Sequence, residues 1–285
     1  MSFSKITIIG LGLIGGSLAW GLKKSGHVGE VFGVDTDEKA IDYAIGEGII
    51  DGGSKEIKKG VDHSQVVIIA AHVGLIPRLV KSVFSIASAG TVITDVGSVK
   101  GRIVEEVERS LPSHLYFVGG HPIAGTERSG VWAADLKLFY GKRCILTPTS
   151  KTNPKALESV KNIWESVGAH VFTMDVETHD RVFGFVSHLP HIVAYALINA
   201  VASIKEPDNI LDFAGGGLRD YTRIGVSSPD MWSDIFLGNR ENTLEAVREF
   251  KRVLERIEDL IKAENADGLK EELRKAVEVK NRMGK

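Results

Sequence analysis

Three stretches of this chain carry glycines and polar side chains at spacings that could do chemistry. The first is Lys5-Ile-Thr-Ile-Ile-Gly10-Leu-Gly12-Leu13-Ile14-Gly15-Gly16, a β-branched apolar run that opens into Gly-x-Gly-x-x-Gly. Gly10 permits a tight turn, Gly12 lets the backbone approach a pyrophosphate, and Gly15 lets the following helix pack closely on the strand. A dinucleotide's diphosphate would meet the unpaired N–H groups of that helix's first turn, at Leu13 and Ile14. Asp35 closes a second apolar run, Val31-Phe-Gly-Val-Asp35, twenty residues after Gly15. Its carboxylate suits the adenosine ribose hydroxyls and would repel a 2′-phosphate. No Lys or Arg follows before Lys39, so the spacing favours NAD over NADP.

The second stretch is Val118-Gly-Gly-His121-Pro-Ile-Ala-Gly-Thr126-Glu127-Arg-Ser-Gly130. It follows a strand-like run, which predicts His121 at the carboxyl edge of a sheet, in an irregular loop fixed by glycines and Pro122. An imidazole there can take a proton from a hydroxyl as hydride leaves the same carbon. The plainer alternative is a turn histidine satisfied by backbone. In the neighbouring Thr94-Asp-Val-Gly-Ser98-Val-Lys100, Ser98 could hydrogen-bond His121 or a substrate. Spacing favours it more as the N-cap of a helix over Val99–Ser110, and both roles are compatible.

The third stretch lies in the C-terminal half. In Val186-Ser-His188-Leu-Pro190-His191 the two histidines stand three apart, on one helical face. A metal site has little support, because no Cys or second carboxylate pair sits at ligand spacing, so core or pocket histidines fit better. Gly215, Gly216 and Gly217 permit close backbone approach, and Arg223 offers a planar fork suited to carboxylate. A surface arginine closing a helix has the same spacing. Trp232 reads as helix core, and the one cysteine, Cys144, as a small buried hydrophobe.

These residues need a scaffold. Strand-like runs at Ile6–Gly10, Val31–Asp35, Val66–Ala71, Thr91–Val96, Tyr116–Gly119, Cys144–Pro148 and His170–Met174 alternate with amphipathic segments at Leu75–Ala87, Lys100–Ser110 and Pro154–Val167. That alternation predicts an α/β, doubly wound, mainly parallel sheet of Rossmann type over residues 1–174. From Asp175 onward the pattern is helical, predicting an all-helical domain over residues 175–285. Val176–Ala202 is too apolar to face water all round and belongs inside that domain or at a subunit interface. Lys205-Glu-Pro-Asp-Asn reads as a turn, and Gly268 as the break before a last helix, Leu269–Arg282.

The chain has 285 residues, a formal net charge of −2, 43% hydrophobic and 25% charged residues. No basic cluster is interleaved with aromatics, so nucleic acid is not an expected partner. No signal peptide is evident, and no stretch reaches membrane-spanning length without charges or several glycines. A cytoplasmic protein is the natural expectation.

Taken in order, Gly10–Gly15 with Asp35, Asp95-Val-Gly-Ser98-Val-Lys100, Gly120-His121-Pro-Ile-Ala-Gly-Thr126-Glu127, Ser187-His188-Leu-Pro-His191, Gly215–Arg223 and Met231-Trp232 resemble the prephenate dehydrogenase family. That family includes arogenate and cyclohexadienyl dehydrogenases. The resemblance implies NAD(P)-dependent oxidative decarboxylation of prephenate to 4-hydroxyphenylpyruvate, in tyrosine biosynthesis, with Asp35 pointing to NAD; no metal is required. It also implies roles. His121 would take the ring hydroxyl's proton, and Ser98 would orient His121. Arg223 would pair with the ring carboxylate, and His191 would help bind the pyruvyl side chain, where donation from His191 to the keto-acid end would favour prephenate over arogenate. Thr126, Glu127 and Gly216 would border the pocket, Glu127 pairing with Arg223 or with a partner subunit. Family members dimerise through the helical domain, so a homodimer is expected. Neither a chorismate mutase segment nor a regulatory extension fits the remaining sequence. Arogenate is the alternative substrate. The competing readings are a β-hydroxyacid dehydrogenase, whose helical-domain lysine is missing from Val176–Ala202, and a non-catalytic NAD-binding regulator.

Overall fold

The computed structural model of the protein describes residues 3–126, 128–204 and 210–282. Strands β1 (Phe3–Ile9), β2 (Val28–Val34), β3 (Gly52–Ser54), β4 (Val66–Ile69), β5 (Val92–Asp95), β6 (Tyr116–Pro122), β7 (Arg143–Thr147) and β8 (His170–Thr173) form one sheet. Their order is β3-β2-β1-β4-β5-β6-β7-β8. Every neighbouring pair is parallel except β6 and β7, which run antiparallel. Interleaved are α1 (Leu13–Ser25), α2 (Glu38–Gly46), α3 (Ile57–Val61), α4 (Ile76–Val83), α5 (Gly101–Glu108) and α6 (Pro154–Ser166).

The central strands are buried along Ile6–Ile9, Val66–Ile69 and Val92–Asp95 because both faces of the sheet are covered there. Alternate residues part cleanly between two clusters. Ile6, Ile8, Val66 and Ile68 pack with Leu18, Leu22, Ile163 and Trp164 from α1 and α6. Ile9, Val67 and Ile69 pack on the other face with Val80, Val83, Ile103 and Val107 from α4 and α5. Since β1 lies between β2 and β4, the chain reverses direction across the sheet at β1, and a ligand crevice opens at the carboxyl ends of β1 and β4.

The doubly wound sheet therefore forms as expected, with two differences. The three-residue β3 escapes a periodicity search because Gly52-Gly-Ser54 has no apolar pattern. His121 is not in an irregular loop. It is the penultimate residue of β6, paired with Ile145 of β7, and that antiparallel pairing holds its backbone in the sheet.

Beyond β8 the described residues contain no strand. Helix α7 (Val176–Phe183) runs through a π-turn, Gly184–His188, into α8 (Leu189–Ala202). The Leu189 N–H reaches back to Gly184 O, five residues away, just before Pro190, which has no N–H to give. Then follow α9 (Gly216–Thr222), a tight turn at Arg223–Val226, α10 (Pro229–Gly238), α11 (Arg240–Lys262) and α12 (Ala266–Arg282). The break before the last helix falls near Glu264, whose φ is +50°, so Gly268 lies inside α12. Residues 205–209, read as a turn, lie outside the described residues.

The apolar segment 176–202 is only partly buried within the chain: His179, Asp180, Phe183, Gly184 and His188 are enclosed. In α8 only Ala194 is fully enclosed, and Val182 and Val186 are exposed. Contrary to the sequence reading, this continuous run is long and apolar enough to cross a membrane. Its first turns nevertheless hold Asp180 in hydrogen bonds to the sheet domain.

Candidate functional site

The glycine turn has the shape a dinucleotide requires. Gly10 sits at φ +101°, and a Cβ there would stand 2.3 Å from Ala70 O, where β1 and β4 diverge. A Cβ on Gly15 would lie 1.9 Å from Gly10 O, whereas one on Gly12 would meet nothing within 4 Å. Gly10 and Gly15 are thus fixed by close packing, while Gly12 leaves its space to a ligand. Gly12 also caps α1 without any side chain, so the first-turn N–H groups at Leu13 and Ile14 face no internal acceptor from a cap. Asp35 follows β2 and accepts from Leu11 N at 2.7 Å and from Asp37 N at 2.9 Å. Each carboxylate oxygen keeps lone pairs for ribose hydroxyls, and the carboxylate braces the glycine turn as well.

His121 is the end of a hydrogen-bonded chain. Its Nδ1 lies 2.8 Å from His179 Nε2, and His179 Nδ1 lies 2.8 Å from Asp180 Oδ1. Asp180 also accepts from Lys100 N at 2.8 Å and Gly101 N at 2.7 Å. Burial alone would raise this carboxyl's pKa, yet the His179 bond and the two backbone N–H groups hold it below the usual range. An ionised carboxylate only accepts, so His179 Nδ1 carries a hydrogen and donates. His179 Nε2 is then the acceptor for His121 Nδ1–H, and His121 Nε2 keeps its lone pair. Burial first, then His179, Lys100 and His188, push the His121 pKa well below that of a free histidine. The ring is a neutral proton acceptor at neutral pH, wedged against Phe183 with centroids 4.6 Å apart.

Asp180 also resolves the question of Ser98. Helix α5 starts at Gly101, and its first N–H groups are bound by Asp180, a cap from the helical half. Ser98 is not the cap. It is half-buried, and its hydroxyl makes no hydrogen bond to His121 or to any other described residue.

His188 and His191 do face the same way, both against Trp232. The His191 ring stacks on the indole at 3.6 Å, and His188 meets it edge-on at 6.2 Å. His191 Nδ1 lies 2.9 Å from Ser187 O, so this nitrogen is the donor. Burial lowers the ring's pKa, which leaves its Nε2 as an acceptor. The expectation that His191 donates to a keto acid is thereby corrected, because neutral His191 has no free N–H. His188 is fully buried. Its Nδ1 is 3.2 Å from Asn239 Nδ2, and its Nε2 has no partner among the described residues. Trp232 is core, packed with Val99 and Ile235.

Arg223 opens the turn after α9 and is exposed. Gly216 begins α9 in open space, like Gly215 and Gly217. Thr126 is exposed, and its Oγ1 accepts from Arg128 N at 3.2 Å. Glu127 lies outside the described residues. The hydrogen bonds thus gather His121 with His179, Asp180 and Lys100, and among the described residues none links His191, Thr126 or Gly216 to it. His179, Asp180 and Asn239 were missed by sequence reasoning. His179-Asp180 sits in the polar stretch Glu177-Thr-His-Asp-Arg181, and no local pattern links it to His121.

Comparison with known proteins agrees with this architecture. The family model "Prephenate dehydrogenase, nucleotide-binding domain" matches residues 18–173, and "Prephenate dehydrogenase, dimerization domain" matches residues 175–275. A prephenate dehydrogenase of Bacillus subtilis is 39% identical over 270 residues, 93% of this chain and 72% of that protein. The crystal structure of prephenate dehydrogenase from A. aeolicus in complex with hydroxyphenyl propionate and NAD+ superposes with a TM-score of 0.93 at 41% identity, covering 100% of this chain and 99% of that one. A Synechocystis arogenate dehydrogenase superposes with a TM-score of 0.84 at 28% identity, covering 98% and 99%. From these matches, spanning both halves of the molecule, the chain belongs to the prephenate dehydrogenase family.

Proposed function

We propose that this protein is an NAD-dependent prephenate dehydrogenase of tyrosine biosynthesis, converting prephenate to 4-hydroxyphenylpyruvate and CO2. The observation that carries the reading is the Asp180–His179–His121 chain, which leaves a proton-accepting nitrogen at the sheet edge that also holds the glycine turn. The turn at Gly10, Gly12 and Gly15, the first-turn N–H groups of Leu13 and Ile14, and Asp35 would hold NAD, which when bound supplies the hydride acceptor. His121 takes the proton of the ring hydroxyl as its carbon is oxidised. The ring carboxylate then leaves as CO2, its bonding electrons complete the aromatic ring, and His121 returns the proton to the phenolate oxygen. Because aromatisation drives the step, the site needs mainly positioning and one base.

Ser98, with a hydroxyl unclaimed by other described residues, suits the same substrate hydroxyl. Arg223 supplies a cation for the ring carboxylate, His191 meets the side chain, and Thr126 and Gly216 border the pocket. The dinucleotide domain is residues 1–174, and the helical substrate-binding and dimerisation domain is residues 175–285. The exposed apolar face of α8 supports a homodimer formed through that domain, and the biosynthetic role supports a cytoplasmic location. One observation favours arogenate instead: neutral His191 offers an acceptor, which suits an ammonium better than a keto group. NADH formation with prephenate and with arogenate decides. Higher kcat/KM with prephenate supports the proposal, higher kcat/KM with arogenate replaces it, and NAD binding without turnover of either substrate would show a regulator.

A further inference from the structure

Beside His121 lies a buried ion pair that the chemistry above leaves unused. Lys100 and Asp95 have no exposure at all, and Lys100 Nζ contacts Asp95 Oδ2 directly. A buried ion pair is weak evidence for stability, since apolar residues of similar volume often do as well. What these charges hold is more informative. Lys100 Nζ donates to Gly120 O at 2.7 Å, and Asp95 Oδ1 accepts from Gly120 N at 3.2 Å. The second Asp95 oxygen also accepts from Gly97 N at 2.8 Å. The pair therefore grips both the amide and the carbonyl of the residue immediately before His121. Gly120 has no slack of its own, since a Cβ there would stand 2.7 Å from Asp95 O.

We propose that Lys100 and Asp95 together are the positioning device of His121, gripping the Gly120 peptide so that the imidazole is aimed at the substrate hydroxyl. The proposal rests on His121 being the base. The pair also shapes the charge around the ring. The charged and titratable groups facing His121 are His179 and Asp180 from α7, His188 from the π-turn, Asp95 from β5, and Lys100 ahead of α5. Lys100 is the amine of this set, and its proximity opposes protonation of the ring.

The test is the pH profile of prephenate oxidation in Lys100→Met and in the charge-neutral double variant Asp95→Asn/Lys100→Met. In Lys100→Met the cation is gone while the Asp95 carboxylate remains. The acidic limb of kcat/KM should move up by about one pH unit. With the grip lost, kcat should fall about ten- to a hundred-fold while KM for prephenate stays within about threefold. In the double variant the limb should return to within about half a unit of wild type, with kcat still low. An unmoved limb in folded Lys100→Met overturns the proposal whatever happens to kcat, because lost stability lowers the rate without moving the limb. Should Lys100→Met not fold, the double variant decides: wild-type kcat overturns the proposal, as does a loss of kcat that tracks a loss of urea stability, and a tenfold or greater loss of kcat at wild-type urea stability, with KM for prephenate within about threefold, supports it. His121→Asn measured alongside separates the two ideas. If it keeps the wild-type rate, the base assignment fails. If it collapses while the Lys100 variants behave as wild type, only the positioning role fails.

Discussion

Mild acid should destabilise this fold through His188. The ring is completely enclosed, and its Nδ1 faces the Asn239 amide at 3.2 Å. That amide also donates to Asp180 O at 2.6 Å, so Nδ1 is an acceptor, and protonating it would set an N–H against an NH2. Burial, outweighing the neighbouring Asp180 charge, lowers the His188 pKa from 6.5 to about 4. The sign follows from linkage: the folded pKa is depressed, so the unfolded chain binds the proton first. Stability is complete above the unfolded value and is lost as pH falls from there toward 4. At about pH 5 the difference amounts to about 1.5 pH units, or about 2 kcal/mol, a substantial part of a typical domain's stability. His121, His179 and His191 are shifted in the same direction, so the comparison must isolate one ring. Urea unfolding of wild type and His188→Gln, at about pH 7 and about pH 5 and at one protein concentration, provides it. Wild type should lose about 2 kcal/mol more than the variant between the two pH values. Equal pH dependence in both proteins would refute the reasoning.

Three further outcomes test the binding assignments. Gly15→Ala places a methyl 1.9 Å from Gly10 O and should weaken NAD binding by about ten- to a hundred-fold, measured by fluorescence titration, because the turn must open to admit it. Asp35→Ala removes the acceptor for Leu11 N and the repulsion of a 2′-phosphate. It should raise KM for NAD by about tenfold and reduce the preference over NADP, and an unchanged preference contradicts the ribose assignment. Arg223→Ala should raise KM for prephenate about tenfold or more with kcat nearly unchanged, since the contact is present in ground and transition states alike. A collapse of kcat at constant KM would give Arg223 a different role.

The sheet was legible in the sequence because it is covered on both faces. Its central strands are mostly apolar runs such as Ile6–Ile9 and Val66–Ile69, and helices with one apolar face separate them. The glycine turn was legible because its chemistry is local: strand, turn, helix and acid lie within the first 35 residues. His121 stood out by its flanking glycines. What orients it did not, because that information is long-range. Asp180 reaches Lys100 across 80 residues of sequence and His179 reaches His121 across 58, and no local pattern marks such pairs. Ser98 illustrates the same limit. A serine directly ahead of a predicted helix, Val99–Ser110, looks like its cap, until the helix begins at Gly101 and a carboxylate from another part of the chain binds its first N–H groups. Lys100 reads as an ordinary polar residue at a helix start, and only the fold shows it fully enclosed. The tautomer of His191 likewise depends on Ser187 O, so its donor or acceptor character could not be read from residue type.

The central claim is that His121 Nε2 removes the hydroxyl proton as prephenate is oxidised. Its most direct test is the steady-state rate of NADH formation from prephenate and NAD, at saturating concentrations of both, for wild type and His121→Asn. The account predicts turnover by the wild type and a loss of about 10²- to 10⁴-fold in kcat for the variant, with KM for prephenate little changed. A variant that keeps near-normal kcat would contradict it.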